Sequence, residues 1–198
     1  AYADRLHVRE HAFDTLSAVR DWRSTGRAAA ADLLAADDFA VWLAGNHLGV
    51  LPVYEALGPR DLVIQFDAHL DAYALHDTAD GLSHGNWMLH LGDQRPAVVN
   101  VGHRDLFLLP ADVTATFADA VPAEAVAADP AGVAAALAKR AKKADRVWLD
   151  LDVDALDPAF APAVHQPTPF GLAPLTVLQL VRAVWSPKVV GLSVSEFD

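Results

Sequence analysis

The chain has 198 residues, 53% hydrophobic and 21% charged, which is typical of a globular protein with one substantial core. Its formal net charge of −11 disfavours association with nucleic acid or with anionic membranes, so we expect neither partner. The absence of cysteine excludes disulfides, thiolate zinc sites and a cysteine nucleophile, so any metal must be held by imidazole, carboxylate and water.

Apolar segments alternate with helix-favouring segments along the chain. The predicted strands are 39–44, 61–66, 97–101, 146–151 and 188–194, and the predicted helices are 48–57, 130–143 and 175–185, with an Ala-rich stretch at 28–36 that also suits a helix. Asp129 is the candidate N-cap of the helix that begins at Pro130. Strands that are apolar on both faces and alternate with helices indicate a parallel sheet in an α/β fold.

No apolar run is long enough to span a membrane, and no apolar signal core stands near the first residue. We therefore expect a cytoplasmic protein that does not associate with membranes. No repeat and no linker divides the sequence, so residues 1–198 are predicted to form a single domain.

Polar side chains follow several of the predicted strands at the point where each strand ends. They are His47, then Asp67, His69 and Asp71, then Asp152 and Asp154, and finally Glu196. In open α/β sheets, ligands bind outside the carboxyl ends of the strands. We therefore expect these side chains to converge on one edge of the sheet.

The segment Asp67-Ala68-His69-Leu70-Asp71 places two carboxylates and an imidazole within one short stretch. Residues spaced by two near a strand end project to one side, so the segment suits a hard divalent cation. Taken alone, it equally fits an acidic surface loop.

The segment 150–158, DLDVDALDP, brings four aspartates together in an otherwise apolar stretch. Like charges this close raise one another's pKa values, and burying them unpaired is costly, so one or two cations would relieve the repulsion. Asp157 precedes Pro158 and suits a turn. Asp150 either supports a metal ligand from behind or faces away from the site.

The histidines outside the Asp67–Asp71 segment carry different expectations. His47 follows a tight turn, and its place at the same sheet edge favours a ligand over a structural histidine. His84 in Ser83-His84-Gly85-Asn86 could move protons, serve as a further ligand or simply lie in a loop. Surface or packing roles are expected for His76, His90, His103 and His165.

Together, these segments resemble the ureohydrolases, the superfamily of arginase, agmatinase and formiminoglutamase. The family signatures Gly-Gly-Asp-His, Asp-Ala-His-x-Asp and Ser-x-Asp-x-Asp-x-x-Asp-Pro correspond to AGNH at 44–47, DAHLD at 67–71 and DLDVDALDP at 150–158. The resemblance covers residues 39–198 and implies a three-layer α-β-α fold with a mostly parallel, arginase-like sheet. Because the chain is short for this family, we expect it to be truncated at both ends.

The resemblance also implies a site for two Mn²⁺ ions, with other divalent cations as the alternative. One ion would be held by His47, Asp67, Asp71 and Asp152, and the other by Asp67, His69, Asp152 and Asp154. A metal-bridging hydroxide would then cleave a C–N bond of a small cationic linear guanidino, formimino or other amidine substrate. Asp154 or His84 would supply the proton of the leaving amine, and Glu196 would contact the substrate's guanidinium or amidine group.

The match departs from the family at three places. Asn46 replaces the usual Asp, Asp150 replaces the usual Ser, and residues 163–167 replace a Gly-Thr-Gly-Thr-Pro segment, so no preference for arginine or agmatine carries over. Two alternatives remain: a non-catalytic or degenerate metal-binding relative, and a deacetylase-type metallohydrolase, which normally holds one zinc. Family members are often trimers or hexamers, so the resemblance implies a homo-oligomer.

Overall fold

Parallel strands form the centre of the molecule. The computed structural model describes residues 6–13, 15–36, 38–74 and 81–197. Within these ranges one sheet contains six strands, β1 (Ala40–Leu43), β2 (Leu62–Phe66), β3 (Ala97–His103), β4 (Asp119–Pro122), β5 (Val147–Asp152) and β6 (Val189–Ser195). They lie in the order β1-β6-β5-β2-β3-β4, and each neighbouring pair is parallel. The predicted parallel α/β sheet is confirmed.

Helices cover both faces of this sheet. They are α1 (Leu16–Ala35), α2 (Leu51–Ala56), α3 (Pro110–Thr116), α4 (Ala123–Ala128), α5 (Pro130–Lys143) and α6 (Pro174–Val184). Every residue of β2 is buried, because Leu62, Ile64 and Phe66 pack in one core cluster with α4, α5 and α6. Val63 points to the other face and packs in the cluster that includes α1 and α2. The result is the expected three-layer α-β-α arrangement.

Each predicted strand is present, with its ends displaced by no more than two residues. The helix predicted at 130–143 is also present, and the Asp129 side chain caps it by accepting a hydrogen bond from the Gly132 N–H. The helix predicted at 48–57 is a 3₁₀ turn, His47–Val50, followed by α2. In the described ranges, no helix is both long and apolar enough to cross a bilayer.

Apart from 3₁₀ helices, three short elements were not predicted, namely α3, β4 and α4. Strand β4 is a four-residue edge strand that ends in Pro122, so it lacks the apolar run by which central strands are recognised. Helix α1 begins at Leu16, well before the Ala-rich stretch that indicated it, and Thr15 caps its start. These elements complete the layers but contribute none of the predicted site residues.

Candidate metal centre

The carboxyl ends of the strands bring the predicted ligands to one edge of the sheet. His47 begins the 3₁₀ turn after β1, and the segment 67–71 follows β2 directly. Asp152 ends β5, and Asp154 lies in the 3₁₀ turn Val153–Ala155 that follows it. Because β5 and β2 are neighbours in the sheet, their two acidic segments meet.

Four of these residues, His47, Asp67, Asp71 and Asp152, form what we call the first group. His47 Nδ1 lies 3.1 Å from Asp67 Oδ2, 3.1 Å from Asp71 Oδ2 and 3.2 Å from Asp152 Oδ2. All four residues are buried. Among the described residues, neither His47 Nδ1 nor Asp67 Oδ2 has a hydrogen-bond partner. Buried potential ligand atoms that lack hydrogen-bond partners and face one another fit a divalent cation placed between them.

Asp67, His69 and Asp154 form the second group. His69 Nδ1 lies 3.0 Å from Asp154 Oδ2 and 3.8 Å from Asp67 Oδ1. Backbone N–H groups fix both carboxylates, since His69 donates to Asp67 Oδ1 and Ala68 donates to Asp154 Oδ1. In this group, one potential ligand atom from each residue lies within 4.8 Å of those of the other two, close enough to bind a single ion. The same is true of His47, Asp67 and Asp71. The two candidate positions therefore share Asp67.

Asp152 was also predicted to bridge the two ions. Its Oδ2 faces His47, and its Oδ1 accepts a hydrogen bond from the Asp154 N–H at 3.1 Å. The side chain thus lies between the groups, and bridging by Asp152 stays a prediction.

The crowding of carboxylates changes their acidity. Burial, reinforced by the negative charge of Asp71, raises the pKa of Asp67 to about 7. Burial and the charge of Asp67 likewise raise the pKa of Asp152 well above its usual value. Burial also disfavours the charged forms of His69 and Asp154, but the hydrogen bond between these two residues outweighs it. The pKa of His69 is therefore raised to about 9 and that of Asp154 is lowered. Divalent cations would compensate the negative charge that makes this cluster costly.

Trp87 supports the first group, and sequence reasoning missed it. Its indole Nε1 donates to Asp71 Oδ2 at 2.7 Å, and its ring meets the His47 ring edge-on at a centroid distance of 5.0 Å. Asp71 itself has φ 43°, a left-handed conformation that is costly for a non-glycine residue. Such strain concentrates at functional sites, where the surroundings enforce it.

Glu196 lies beside the first group. Its Oε1 accepts a hydrogen bond of 3.0 Å from the backbone N–H of His47. Its φ of 57° is again left-handed, directly after β6 ends. The structure therefore brings this predicted residue to the site.

His84 is not brought into contact with the metal ligands. It lies in a turn, its side chain is exposed, and no hydrogen bond or ion pair within the described ranges joins it to either group. His76 lies outside the described residues. Of the other histidines expected to have surface or packing roles, His90 contacts the Gly81 carbonyl, His103 is partly buried and His165 is exposed.

The comparisons with known proteins agree with this geometry. The sequence model of the Arginase family matches residues 3–198. This chain belongs to the arginase family. It is 32% identical over 174 residues to "Putative agmatinase 3" of Schizosaccharomyces pombe, covering 78% of this chain and 42% of that protein. It is 32% identical over 173 residues to guanidinopropionase of Pseudomonas aeruginosa, covering 82% and 54% of the respective chains.

Solved structures of the arginase family share the fold. The agmatine ureohydrolase of Thermoplasma volcanium superimposes with a TM-score of 0.74 at 27% identity, over 91% of this chain and 61% of that one. Arginase from Bacillus subtilis has a TM-score of 0.79 at 19% identity, over 96% and 75% of the chains, and supports the fold alone. The chain spans about half the length of the curated relatives that it matches.

Arg104 is a second residue that sequence reasoning missed in this arginase-family site. Its guanidinium donates to four backbone carbonyls, those of Gly102, Asp154, Ala155 and Thr168. Burial lowers the pKa of Arg104, although nearby carboxylates oppose the shift. The side chain links the turn that carries Asp154 to the end of β3 by hydrogen bonds, and so helps to hold the second group in place.

Proposed function

We propose that this chain carries the binuclear manganese centre of a hydrolase that cleaves a C–N bond of a linear guanidino or formimino compound. The observation that supports it most directly is the pair of candidate metal positions that share Asp67. Relatives named agmatinase, guanidinopropionase and formimidoylglutamase support the class of substrate.

The metal ligands follow from the two groups. His47, Asp67, Asp71 and Asp152 would hold one ion, and Asp67, His69, Asp152 and Asp154 the other. Carboxylate and imidazole donors without thiolate suit Mn²⁺, as they do several other divalent cations. When bound, the ions would polarise the substrate and lower the pKa of water.

Glu196 would hold the cationic end of the substrate. Its carboxylate can accept charge-assisted hydrogen bonds from a guanidinium or amidine group. The His47 N–H fixes one of its oxygens, so the carboxylate stays in place beside the first group. A Glu196→Gln variant should therefore raise KM more than it lowers kcat.

Two residues would move the proton that the leaving amine requires. Asp154, a member of the second group, has its Oδ2 atom 3.0 Å from His69 Nδ1. His84, whose side chain is exposed, would be the alternative source of this proton. Residues 1–198 would act as one arginase-like unit on a small cationic substrate, and a homo-oligomer in the cytoplasm remains the expectation.

A substrate panel with Mn²⁺ tests this function. The purified chain is incubated with guanidino compounds of different length, such as agmatine, arginine and guanidinopropionate, and with a formimino amino acid. Release of urea, ammonia or formamide from at least one of them is expected. The His69→Ala variant should lose this activity, whereas His11→Ala, which removes an exposed imidazole, should keep it.

The absence of turnover would contradict the proposal. If the folded, manganese-loaded chain processes no member of the panel, the non-catalytic alternative replaces it. If the chain binds a single zinc ion and releases acetate from acetylated amines, the deacetylase alternative does.

A further inference from the structure

Asp150 is a buried carboxylate to which the proposed reaction assigns no role. We propose that it is a positioning residue, which orients His47 and strengthens it as a ligand of the first metal position. This inference rests on the proposed metal centre and is independent of the substrate. Asp150 stands where the family signature has serine, so the arrangement is a property of this chain.

Three donors surround the Asp150 side chain, which is fully buried. His47 Nε2 lies 2.9 Å from Oδ2, and the Tyr54 hydroxyl donates to the same oxygen at 2.6 Å. The Ser193 hydroxyl donates to Oδ1 at 2.5 Å. Both oxygens therefore accept hydrogen bonds, as a buried carboxylate requires.

The contact with Asp150 would set the tautomer of His47 when the ring ligates a metal. A ligating Nδ1 carries no proton, so Nε2 would carry it and donate to Asp150. Nδ1 would then present its lone pair to the first metal position, which the oxygens of Asp67, Asp71 and Asp152 surround. A carboxylate behind a ligating histidine fixes the ring and makes it a stronger donor to the metal.

The surroundings of Asp150 hold it rigidly. Ser193, which donates to it, accepts a hydrogen bond of 2.9 Å from Trp148 Nε1. The Trp148 ring lies so close to β6 that a Cβ atom at Gly191 would come within 2.2 Å of it. On the other side, Tyr54 meets Trp87 edge-on at a centroid distance of 4.9 Å. Side chains from β5, β6 and α2 thus converge on this carboxylate.

A serine at position 150 could not replace these contacts. It has one oxygen on a shorter side chain, so it could not reach His47 Nε2 while satisfying both Tyr54 and Ser193. Asn46, the neighbour of His47 in sequence, is exposed and its side chain makes no capping hydrogen bond, so it does not support the His47 ring. The supporting carboxylate comes from β5 instead.

Manganese affinities of an isosteric variant test the proposal. Asp150→Asn keeps the size of the side chain but removes its charge. In the His69→Ala background, where only the first position remains complete, this variant should weaken Mn²⁺ binding by about 10- to 100-fold. In the Asp71→Asn background, where only the second position remains complete, it should leave Mn²⁺ binding unchanged. Calorimetry gives both dissociation constants.

Two further variants separate positioning from a general role in folding. Asp61→Asn is the matched control, because Asp61 is a buried carboxylate paired with Arg146 at the opposite edge of the sheet. It should lower the melting temperature without changing Mn²⁺ affinity. Tyr54→Phe removes one donor from Asp150, and we expect a smaller loss, about 3-fold, at the first position alone.

Several results would overturn the proposal. Unchanged affinity at the first position in Asp150→Asn would remove Asp150 from ligand positioning while leaving the proposed function intact. Equal weakening of both positions would indicate a purely structural role. If Asp150→Asn does not fold, Tyr54→Phe decides, and an unchanged first position contradicts the inference. A wild-type chain that binds no Mn²⁺ would overturn both this inference and the proposed function.

Discussion

The two halves of the candidate metal centre are built differently. In the first group, the His47 side chain is 2% exposed, whereas in the second group that of His69 is 25% exposed. Other side chains hold the first group. Trp87 donates a hydrogen bond to Asp71, and the His47 ring makes a hydrogen-bond contact with Asp150. The second group is held by backbone N–H groups and by the carbonyl contacts of Arg104.

This difference separates a fixed half from an accessible half. Interior side-chain networks are rigid because each buried polar group must keep its partner. A ligand that reaches solvent leaves room for water and substrate beside it. We therefore expect the substrate to approach from the side of His69, with the first group forming the floor of the site.

Removal of the residue that the halves share should have the largest effect. Asp67→Asn takes a negative ligand from both positions, so we expect both Mn²⁺ ions to be lost and activity to fall below detection. The effect should exceed the 10- to 100-fold loss of affinity typical of a supporting residue, that is, about 100-fold or more. Metal analysis after gel filtration gives the number of Mn²⁺ ions that the variant retains. One tightly bound ion per chain would show that Asp67 is not shared by both metal positions.

Variants in only one half should separate the two positions. Asp71→Asn is expected to empty the first position and Asp154→Asn the second, each leaving one Mn²⁺ per chain. Metal counting measures both effects. A loss of both ions from either variant would mean that the halves form one indivisible site.

The fold and the convergence of most candidate site residues could be predicted from the sequence for a simple physical reason. Central strands of a parallel sheet are apolar along their whole length, so the acidic residues at their ends stand out. The segment 67–71 and the pair Asp152 and Asp154 are therefore visible as soon as the strands are drawn. Because parallel strands end at the same edge, their convergence follows without any knowledge of contacts.

The residues that support the ligands could not be predicted in this way. Trp87 begins the short 3₁₀ helix Trp87–His90 and Arg104 follows β3, and no local pattern distinguishes a tryptophan or an arginine that will donate to a distant acceptor. The direction of Asp150 depends on Tyr54 and Ser193, which come from other elements. Strand β4 has only four residues and ends in Pro122, so it is too short to carry a periodic signal.

The smallest expected effect concerns accessibility. At a pH above about 9, where the imidazole of His69 is deprotonated, diethyl pyrocarbonate should modify His69 in the metal-free chain at least several-fold faster than His47, because of the two only His69 reaches solvent. Added Mn²⁺ should protect His69, since its Nδ1 would then be bound. Peptide mass spectrometry measures both rates, with exposed His84 as the internal reference for unhindered modification. Equal rates for His47 and His69 would contradict the distinction between a buried and an accessible half.

The manganese stoichiometry of the wild-type chain tests the central claim most directly. Titration of the metal-free protein with Mn²⁺, monitored by calorimetry and by electron paramagnetic resonance, should reveal two ions per chain. Their spins should be coupled, because both ions would share the carboxylate of Asp67. A single isolated ion, or no binding at neutral pH, would contradict a binuclear centre.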